Sequence, residues 1–421
     1  MREVRQSLLL LAGLAMAGCQ SSPSSPGDST PPKQISSLPR TLTGGEQGII
    51  AAGNAFGPSL LARVNATRGA ENVFISPLSA SMALGMVLNG AAGTTFDEMR
   101  STLGFGTMSR TEIITAYRDL IAMLRGLDPK VDFRIANSVW YRDSFAAAIA
   151  PDVLSEARSY FDATSAGLDF TRPAAVQTIN DWVKTATNGK IDSIIDSISQ
   201  EIVMLLVNAI YFKGDWREGF DRSKTASAPF FTLSGSTISV PMMHRTDTMR
   251  VGEFDGRTVV DLGYGGDAYS MTIVLPRAEE TVNALVAGLT PALWSSAVAS
   301  LAPGDVELSL PRFALEWEAE LNDPLEAMGM PTAFVPGGAD FTRLSPTQGR
   351  ELYISFVKQK TYVDVNEVGT EAAAVTGVGI GVTSVPMRKV VNVNRPFVFA
   401  IRERLSGTIL FLGKVVAPPA S

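Results

Sequence analysis

Few side chains in this sequence are suited to acid–base or nucleophilic chemistry. The 421 residues include one histidine, His244, and one cysteine, Cys19. A triad with a histidine base would depend on His244 alone, and a single cysteine cannot form an internal disulfide. His244 lies in the segment Val240–Arg245, at the end of a strand-like run, where a surface histidine is the simpler interpretation. Without a cluster of imidazole ligands we expect no metal, no cofactor and no enzymatic activity.

Cys19 stands at the end of an N-terminal export signal. Met1–Arg5 carries two arginines, Ser7–Ala17 is apolar, and Gly18 directly precedes the cysteine. The apolar run is too short for a spanning helix and has the plan of a secretory signal. The small residues before Cys19 resemble a bacterial lipoprotein signal, which implies removal of residues 1–18 and lipidation of Cys19. An ordinary signal peptide with an incidental cysteine is the alternative.

This N-terminus predicts an exported protein. We expect a lipid anchor on the bacterial outer membrane or cell surface, or otherwise secretion, with the lipid as the only membrane contact. Residues 19–41 are rich in serine and proline, so we predict a disordered tether there. The folded domain is predicted to occupy residues 42–421.

Composition narrows the function of that domain. A hydrophobic content of 45% allows a large core, while a net charge of −6 and a pI near 5.1 leave no basic surface for nucleic acid. Helical patterns crowd the first half of the domain and strands crowd the second, which is typical of an α+β fold. We therefore expect a partner other than DNA or RNA.

A run of small residues near the C-terminus could exist in two conformations. Glu367–Thr376 lies between a strand-like run, Lys358–Asn366, and a glycine-punctuated run, Gly377–Val385. Small residues allow it to be an exposed loop, although a flexible linker is the alternative. Read at period two, it is also a half-buried strand with one face formed by Thr370, Ala372, Ala374, Thr376, Val378 and Ile380.

Several blocks of the chain resemble the serpins, the serine protease inhibitor superfamily. The blocks are Asn72–Ser79, Asn89–Thr95, Asn208–Trp216 and the segment Glu367–Thr376. They follow the family's order, and the resemblance covers Leu42–Pro418. It implies the serpin fold, in which helices pack around three mostly antiparallel β-sheets with an exposed reactive-centre loop.

The resemblance also implies roles for individual residues. Trp216 would lie at the breach, the top of the main sheet. Gln359 replaces the usual histidine of the shutter, so we expect no shutter-linked pH switch between about pH 5 and 8. The shutter, a polar cluster beneath the sheet, would comprise Ser76, Ser79, Asn208 and Gln359. The hinge of the loop would comprise Glu367, Gly369, Thr370, Glu371, Ala372, Ala373, Ala374 and Thr376.

The function implied by the resemblance is suicide-substrate inhibition of a serine protease. The protease cleaves the loop and forms an acyl-enzyme ester, and the hinge side then inserts into the main sheet. Family spacing places the reactive bond at Thr383–Ser384, with Val382 or Val385 as rivals. The small aliphatic surroundings favour an elastase-like or subtilisin-like target. Arg388 would suit a trypsin-like enzyme but lies rather far downstream.

Two further expectations concern the uncut protein. We expect a monomer whose segment Thr370–Ile380 lies outside the sheet and whose partner is the target protease, held in a covalent acyl-enzyme complex. The alternative is a non-inhibitory serpin-fold binding or chaperone protein on the cell envelope. The inward hinge positions from Thr370 to Thr376 carry no bulky, charged or proline residue, which favours inhibition.

Overall fold

The computed structural model describes residues 33–370 and 388–419. Among the helices in these ranges, none is long and apolar enough to cross a membrane. The described helices are α1 (Gly44–Thr67), α2 (Pro77–Gly90), α3 (Gly93–Thr102), α4 (Arg110–Leu124), α5 (Pro151–Phe161), α6 (Pro173–Ala186), α7 (Val282–Ala287), α8 (Pro291–Ala299) and α9 (Asn322–Met328). The described strands are β1 (Val73–Ile75), β2 (Val131–Arg142), β3 (Ala163–Leu168), β4 (Met204–Asp215), β5 (Ala226–Phe231), β6 (Thr237–Phe254), β7 (Arg257–Tyr264), β8 (Tyr269–Leu275), β9 (Ala302–Pro311), β10 (Phe313–Glu320), β11 (Lys358–Val365), β12 (Gly369–Thr370), β13 (Lys389–Asn392), β14 (Phe397–Glu403) and β15 (Ile409–Val415).

A six-stranded sheet contains Gly369 and Thr370 of the predicted hinge. Its strand order is β10-β11-β12-β4-β2-β3, and only β3 runs parallel to its neighbour. Successive side chains of β4 point to opposite faces. Leu205 and Val207 belong to a core that also contains Ile179 of α6. Ile210 and Phe212 belong to the main core on the other face.

The remaining strands form a single nine-stranded sheet, with the order β1-β15-β14-β8-β7-β6-β9-β13 and β5 paired to β6. The described residues thus form two hydrogen-bonded sheets, where three were expected. The reason is the 18-residue strand β6, which pairs with β5, β7 and β9 and joins their ladders. The α+β class is confirmed, and the C-terminal strands β14 and β15 form an antiparallel hairpin.

Helix α1 continues through Pro58, where the sequence predicts a kink or an interruption. Its start is fixed by a capping box, in which the Thr43 hydroxyl and the Glu46 carboxylate each accept the other's backbone N–H. At Gly57 an added Cβ would lie 2.7 Å from Cγ of Pro77, so the backbones of α1 and α2 approach closely there. Core packing therefore maintains the helix despite the lost proline hydrogen bond.

Ordered structure begins before the predicted domain boundary. Residues 33–41, predicted as the end of a disordered tether, contact the domain instead. The Ile35 N–H donates to the Gly266 carbonyl at 2.7 Å, and the side chains of Ile35 and Leu38 pack against the main core. Arg40 forms two hydrogen bonds of 2.7 and 2.6 Å with Glu46. The composition of the segment predicts disorder because it is polar on average, and a few isolated apolar residues do not change that average.

Candidate functional site

In the described residues, strands β4 and β11 of the six-stranded sheet are joined through β12 at one end only. Gly369 and Thr370 pair with Asp215 and Gly214 of β4, and Thr370 pairs with Val365 of β11. Farther along, a cavity of about 170 Å³ lies between the two strands. Its lining includes Met204, Leu206, Asn208, Leu352, Val357 and Gln359.

The first hinge residues are already inside the sheet. Thr370 was expected outside it, yet its side chain is only 2% exposed. The Thr370 and Tyr264 hydroxyls lie 2.7 Å apart, and burial raises the pKa of Tyr264 above its ordinary value. At Gly369 an added Cβ would lie 2.2 Å from the Gly214 carbonyl oxygen, so only glycine fits there. Close strand pairing thus holds the start of the hinge.

Glu367 and Val368 anchor the chain just before β12. Both are buried. The Glu367 carboxylate accepts a hydrogen bond from Thr225 at 2.8 Å and lies 3.9 Å from the Arg312 guanidinium. The Val368 carbonyl accepts the backbone N–H of Trp216 at 2.7 Å. Valine is compatible with this position because its backbone makes the contact.

Trp216 lies directly against these hinge residues. Its indole N–H donates to the Asn366 carbonyl at 2.8 Å, and its ring stacks on Tyr264 with centroids 4.5 Å apart. Phe220 packs against the same indole, and its backbone N–H donates to the Glu367 carbonyl. Aromatic packing and hydrogen bonds to the backbone therefore surround the start of the hinge.

The structure brings together the four polar residues that the sequence assigns to the shutter. Gln359 accepts the Ser76 N–H at 3.0 Å and donates to the Ser76 carbonyl at 2.9 Å. The Ser76 hydroxyl accepts the Ser79 N–H and caps α2. The Ser79 hydroxyl donates to Asn208, whose amide donates to Asn137 at 2.6 Å. The cluster links α2, β4 and β11, which border the cavity.

Asn137 belongs to this cluster and was missed from the sequence. It is 1% exposed, lies directly opposite Asn208, and donates to the Phe161 carbonyl at 2.6 Å. It shares a period-two face of β2 with the apolar residues Ile135 and Val139. A polar amide on an otherwise apolar strand face was the available signal, because buried polar groups require partners.

His244 forms a cross-strand pair. Its Nδ1 lies 3.0 Å from the hydroxyl of Ser309, which is directly opposite in the β6–β9 register. The ladder is continuous around this pair, from Met242 to Val251. A hydrogen bond between facing side chains accounts for the contact.

Several predicted site residues lie outside the described ranges. They are the lipidation residue Cys19, the reactive bond Thr383–Ser384, and the hinge residues Glu371, Ala372, Ala373, Ala374 and Thr376. In the described residues, no group of three or more His, Cys, Asp or Glu side chains could hold a metal ion.

Comparison with known proteins identifies the family. Residues 51–418 match the family model described as "Serpin (serine protease inhibitor)". The chain is 35% identical over 370 residues to neuroserpin of Gallus gallus, covering 85% of this chain and 89% of that protein. This chain belongs to the serpin family. Serpins generally inhibit and bind proteases and are not catalysts.

Solved structures confirm the fold. The native-state structure of the thermophilic serpin tengpin superimposes with a TM-score of 0.80 at 30% identity, covering 92% of this chain and 97% of that one. Thyroxine-binding globulin in complex with thyroxine gives a TM-score of 0.78 at 29% identity, covering 87% and 99%. The serpin fold expected from the resemblance is therefore present.

Proposed function

We propose that this protein is a suicide-substrate inhibitor of elastase-like or subtilisin-like serine proteases. The observation that supports this most is β12. The hinge has entered the sheet by two residues, and beyond it β4 and β11 border a cavity. The fold therefore provides both a starting point and a space for a longer inserted strand.

The register of β12 makes the next hinge residues fit. Continued along β4 in steps of two, it places Ala372 opposite Phe212 and Ala374 opposite Ile210. Both β4 side chains are large and point into the main core. Methyl side chains beside them avoid the overpacking that larger residues would cause. The small residues of this hinge therefore match the strand that would receive them.

The next inward residue would meet the polar cluster. The same register places Thr376 opposite Asn208 on β4 and opposite Gln359 on β11. A threonine hydroxyl can donate and accept hydrogen bonds, so both amides could bind it. We infer that insertion exchanges contacts within this cluster without burying an unpaired polar group.

The largest inward residues would reach the cavity. Val378 would lie opposite Leu206, and Ile380 opposite Met204, and both β4 residues line the open space. Full burial of each aliphatic side chain is worth about 1.5–3 kcal/mol. Filling this cavity would therefore favour the inserted state once the loop is cut.

Inhibition then depends on the order of two events. The protease serine attacks the Thr383 carbonyl, the Thr383–Ser384 bond breaks, and an ester joins the two proteins. Insertion before hydrolysis would drag the protease and distort its active site. Loss of one oxyanion-hole donor slows such chemistry by about 10²–10³-fold, so modest distortion is enough to preserve the ester. The protease supplies the catalytic groups.

The test is incubation with a panel of elastase-like, subtilisin-like and trypsin-like proteases. We expect an SDS-stable complex with the first two classes, and release of a C-terminal peptide that mass spectrometry shows to begin at Ser384. A peptide cut next to Val382 or Val385 would move the bond without changing the mechanism. Cleavage by every protease without a stable complex would reject inhibition.

The second candidate is a non-inhibitory binding or chaperone protein. It is favoured by the similarity to thyroxine-binding globulin, which was solved in complex with thyroxine. The two alanines that a continued β12 register would place opposite Phe212 and Ile210 argue against it, because their small side chains would fit insertion. Absence of complexes in the protease panel, together with an unchanged melting temperature after loop cleavage, would favour this candidate.

We further propose that the protein is bacterial, exported and lipidated at Cys19, with residues 1–18 removed. Metabolic labelling with a fatty acid should label the protein when the complete gene product is expressed, and the labelled protein should be recovered with membranes. A Cys19→Ser variant should be unlabelled and recovered in the soluble fraction. Equal labelling of both would contradict the proposal. We expect the domain itself to be a monomer, which light scattering can establish.

A further inference from the structure

An N-terminal strap, residues 33–42, docks on one turn of the domain. Gln34 donates a hydrogen bond of 3.0 Å to the Asp267 carboxylate, and the Ile35 N–H donates to the Gly266 carbonyl at 2.7 Å. A Cβ added to Gly266 would lie 2.9 Å from Cδ1 of Ile35, so this side chain rests directly on the turn. Leu38 and Leu42 pack farther along the strap.

The turn, Gly265–Asp267, is braced from the other side. Its Gly265 N–H donates to the Asp215 carbonyl at 2.9 Å, and its Gly266 N–H donates to the buried carboxylate of Asp128 at 2.8 Å. Asp267 is 3% exposed and accepts two hydrogen bonds from Arg250, at 2.8 and 2.9 Å. The turn is therefore a rigid element held between the strap and the end of β4.

The same turn adjoins the start of the hinge. Asp215, which accepts the Gly265 N–H, is the residue of β4 that pairs with Gly369. Tyr264 immediately precedes the turn, stacks on Trp216 and contacts the Thr370 hydroxyl. Contacts thus run without a break from the strap through the turn to β12.

We propose that the strap is a positioning device for the hinge. By holding the Gly265–Asp267 turn against Asp215, it keeps the end of β4 and Trp216 closed on residues 366–370. Detaching the strap loosens this end of the sheet. A consequence, which rests on the proposed function, is that detachment speeds the loss of inhibitory activity from uncut protein.

Hydrogen exchange of the full chain tests the link. The variant Ile35→Ala removes the side chain on the turn, and Leu38→Ala is a matched truncation within the strap that leaves Gln34 and Ile35 in place. The reporters are two amides at the turn, Gly265 and Gly266, and two at the hinge. The hinge amides are Trp216, bonded to the Val368 carbonyl, and Asn366, bonded to the Gly369 carbonyl.

We expect Ile35→Ala to speed exchange at least fivefold at both pairs of amides, and Leu38→Ala to leave the hinge pair within twofold of the parent. Faster exchange at the turn alone would overturn the proposal, as would equal effects of the two variants on the hinge. The double variant Gln34→Ala/Ile35→Ala should enlarge the effect. If neither Ile35→Ala nor the double variant changes the exchange of any of the four amides, the proposal is also rejected.

A second readout separates this proposal from the proposed function. Uncut protein is incubated well below its melting temperature, and the fraction able to form a protease complex is followed with time. The half-life should fall at least threefold in Ile35→Ala. If the parent forms no complex, inhibition is wrong while the exchange result still stands. If both proteins lose activity equally fast, the regulatory consequence is wrong.

Discussion

The two ends of the gap between β4 and β11 differ in how they are filled. At the hinge end, β12 pairs with both strands, and Trp216 and Tyr264 pack around it. At the other end, the strands border a cavity beside the polar cluster of Ser76, Ser79, Asn208, Gln359 and Asn137. The start of the hinge therefore lies in the sheet at one end of the gap, and open space lies at the other.

Chain connectivity explains how such a state can persist. Thr370 lies in the six-stranded sheet, while Lys389 begins β13 in the nine-stranded sheet. The intervening residues must connect two sheets as long as the chain is intact. In the proposed mechanism, cutting the loop would remove this requirement, and residues after Thr370 would then extend the ladder.

The largest effect on complex formation is expected from Thr370→Arg at the hinge end of the gap. The side chain is buried in the uncut protein, and an unpaired charge there would cost about 5 kcal/mol unless β12 left the sheet. Withdrawal of β12 would remove the starting point for insertion. We expect the SDS-stable complex to fall at least tenfold and the protein to become a cleaved substrate. Thr370→Ser, which keeps the hydroxyl, serves as the control. A persistent complex in gels of the arginine variant would contradict the account.

The cavity end of the gap between β4 and β11 is tested by Ile380→Ala. If this residue fills the cavity after cleavage, its truncation should lower the free energy of unfolding of cut protein by about 2–5 kcal/mol. The uncut protein should change by less than about 0.5 kcal/mol. Ile380→Val should lower the cut form by about 0.5–1.5 kcal/mol. Denaturant melts of both forms measure this, and equal losses in cut and uncut protein would place the residue elsewhere.

A region away from the gap should control the response to alkaline pH. Lys414 is fully buried and donates to Asn65, the Gly69 carbonyl and Asn283, and burial lowers its pKa to about 8. Unfolding restores a pKa near 10.4 for an unperturbed lysine, so the unfolded chain binds more protons between these values. Stability from this group is therefore present at high pH and is lost as pH falls through about 8.

We expect the free energy of unfolding to rise by about 2 kcal/mol between pH 7.5 and 9.5 relative to Lys414→Met. The difference between the two proteins is the measured quantity, because other titrating groups cancel in it. Urea melts across this range are sufficient. Parallel curves for the parent and the variant would show that Lys414 does not carry the response.

The smallest effect is expected from Tyr264→Phe, which removes one hydrogen bond at the hinge end of the gap. Loss of the contact with Thr370 should reduce the stability of uncut protein by about 1 kcal/mol. Tyr269→Phe is the matched control, because its hydroxyl donates to the Leu124 carbonyl. Only the first variant should speed exchange of the Asn366 amide. Similar exchange in both variants would mean that Tyr264 does not hold the hinge.

Local patterns in the sequence predicted much of this arrangement. The matching blocks and their order led to the family, and Ser76, Ser79, Asn208 and Gln359 meet as the resemblance implied. The hairpin and the major helices follow from periodicity that each segment carries by itself. These features needed no knowledge of which distant strands pair.

Long-range contacts could not be read in the same way. The position of Thr370 depends on how far the hinge enters between β4 and β11, which the period-two pattern leaves open. Ile35 and Leu38 stand alone in a polar segment, so averaged composition hid their docking.

The most direct test compares thermal unfolding of intact protein with that of protein nicked once in the loop by a protease that forms no complex. The account predicts a large rise in melting temperature after the cut, because the freed residues complete the ladder and fill the cavity. An unchanged melting temperature, with residues after Thr370 still accessible to a second protease, would contradict it.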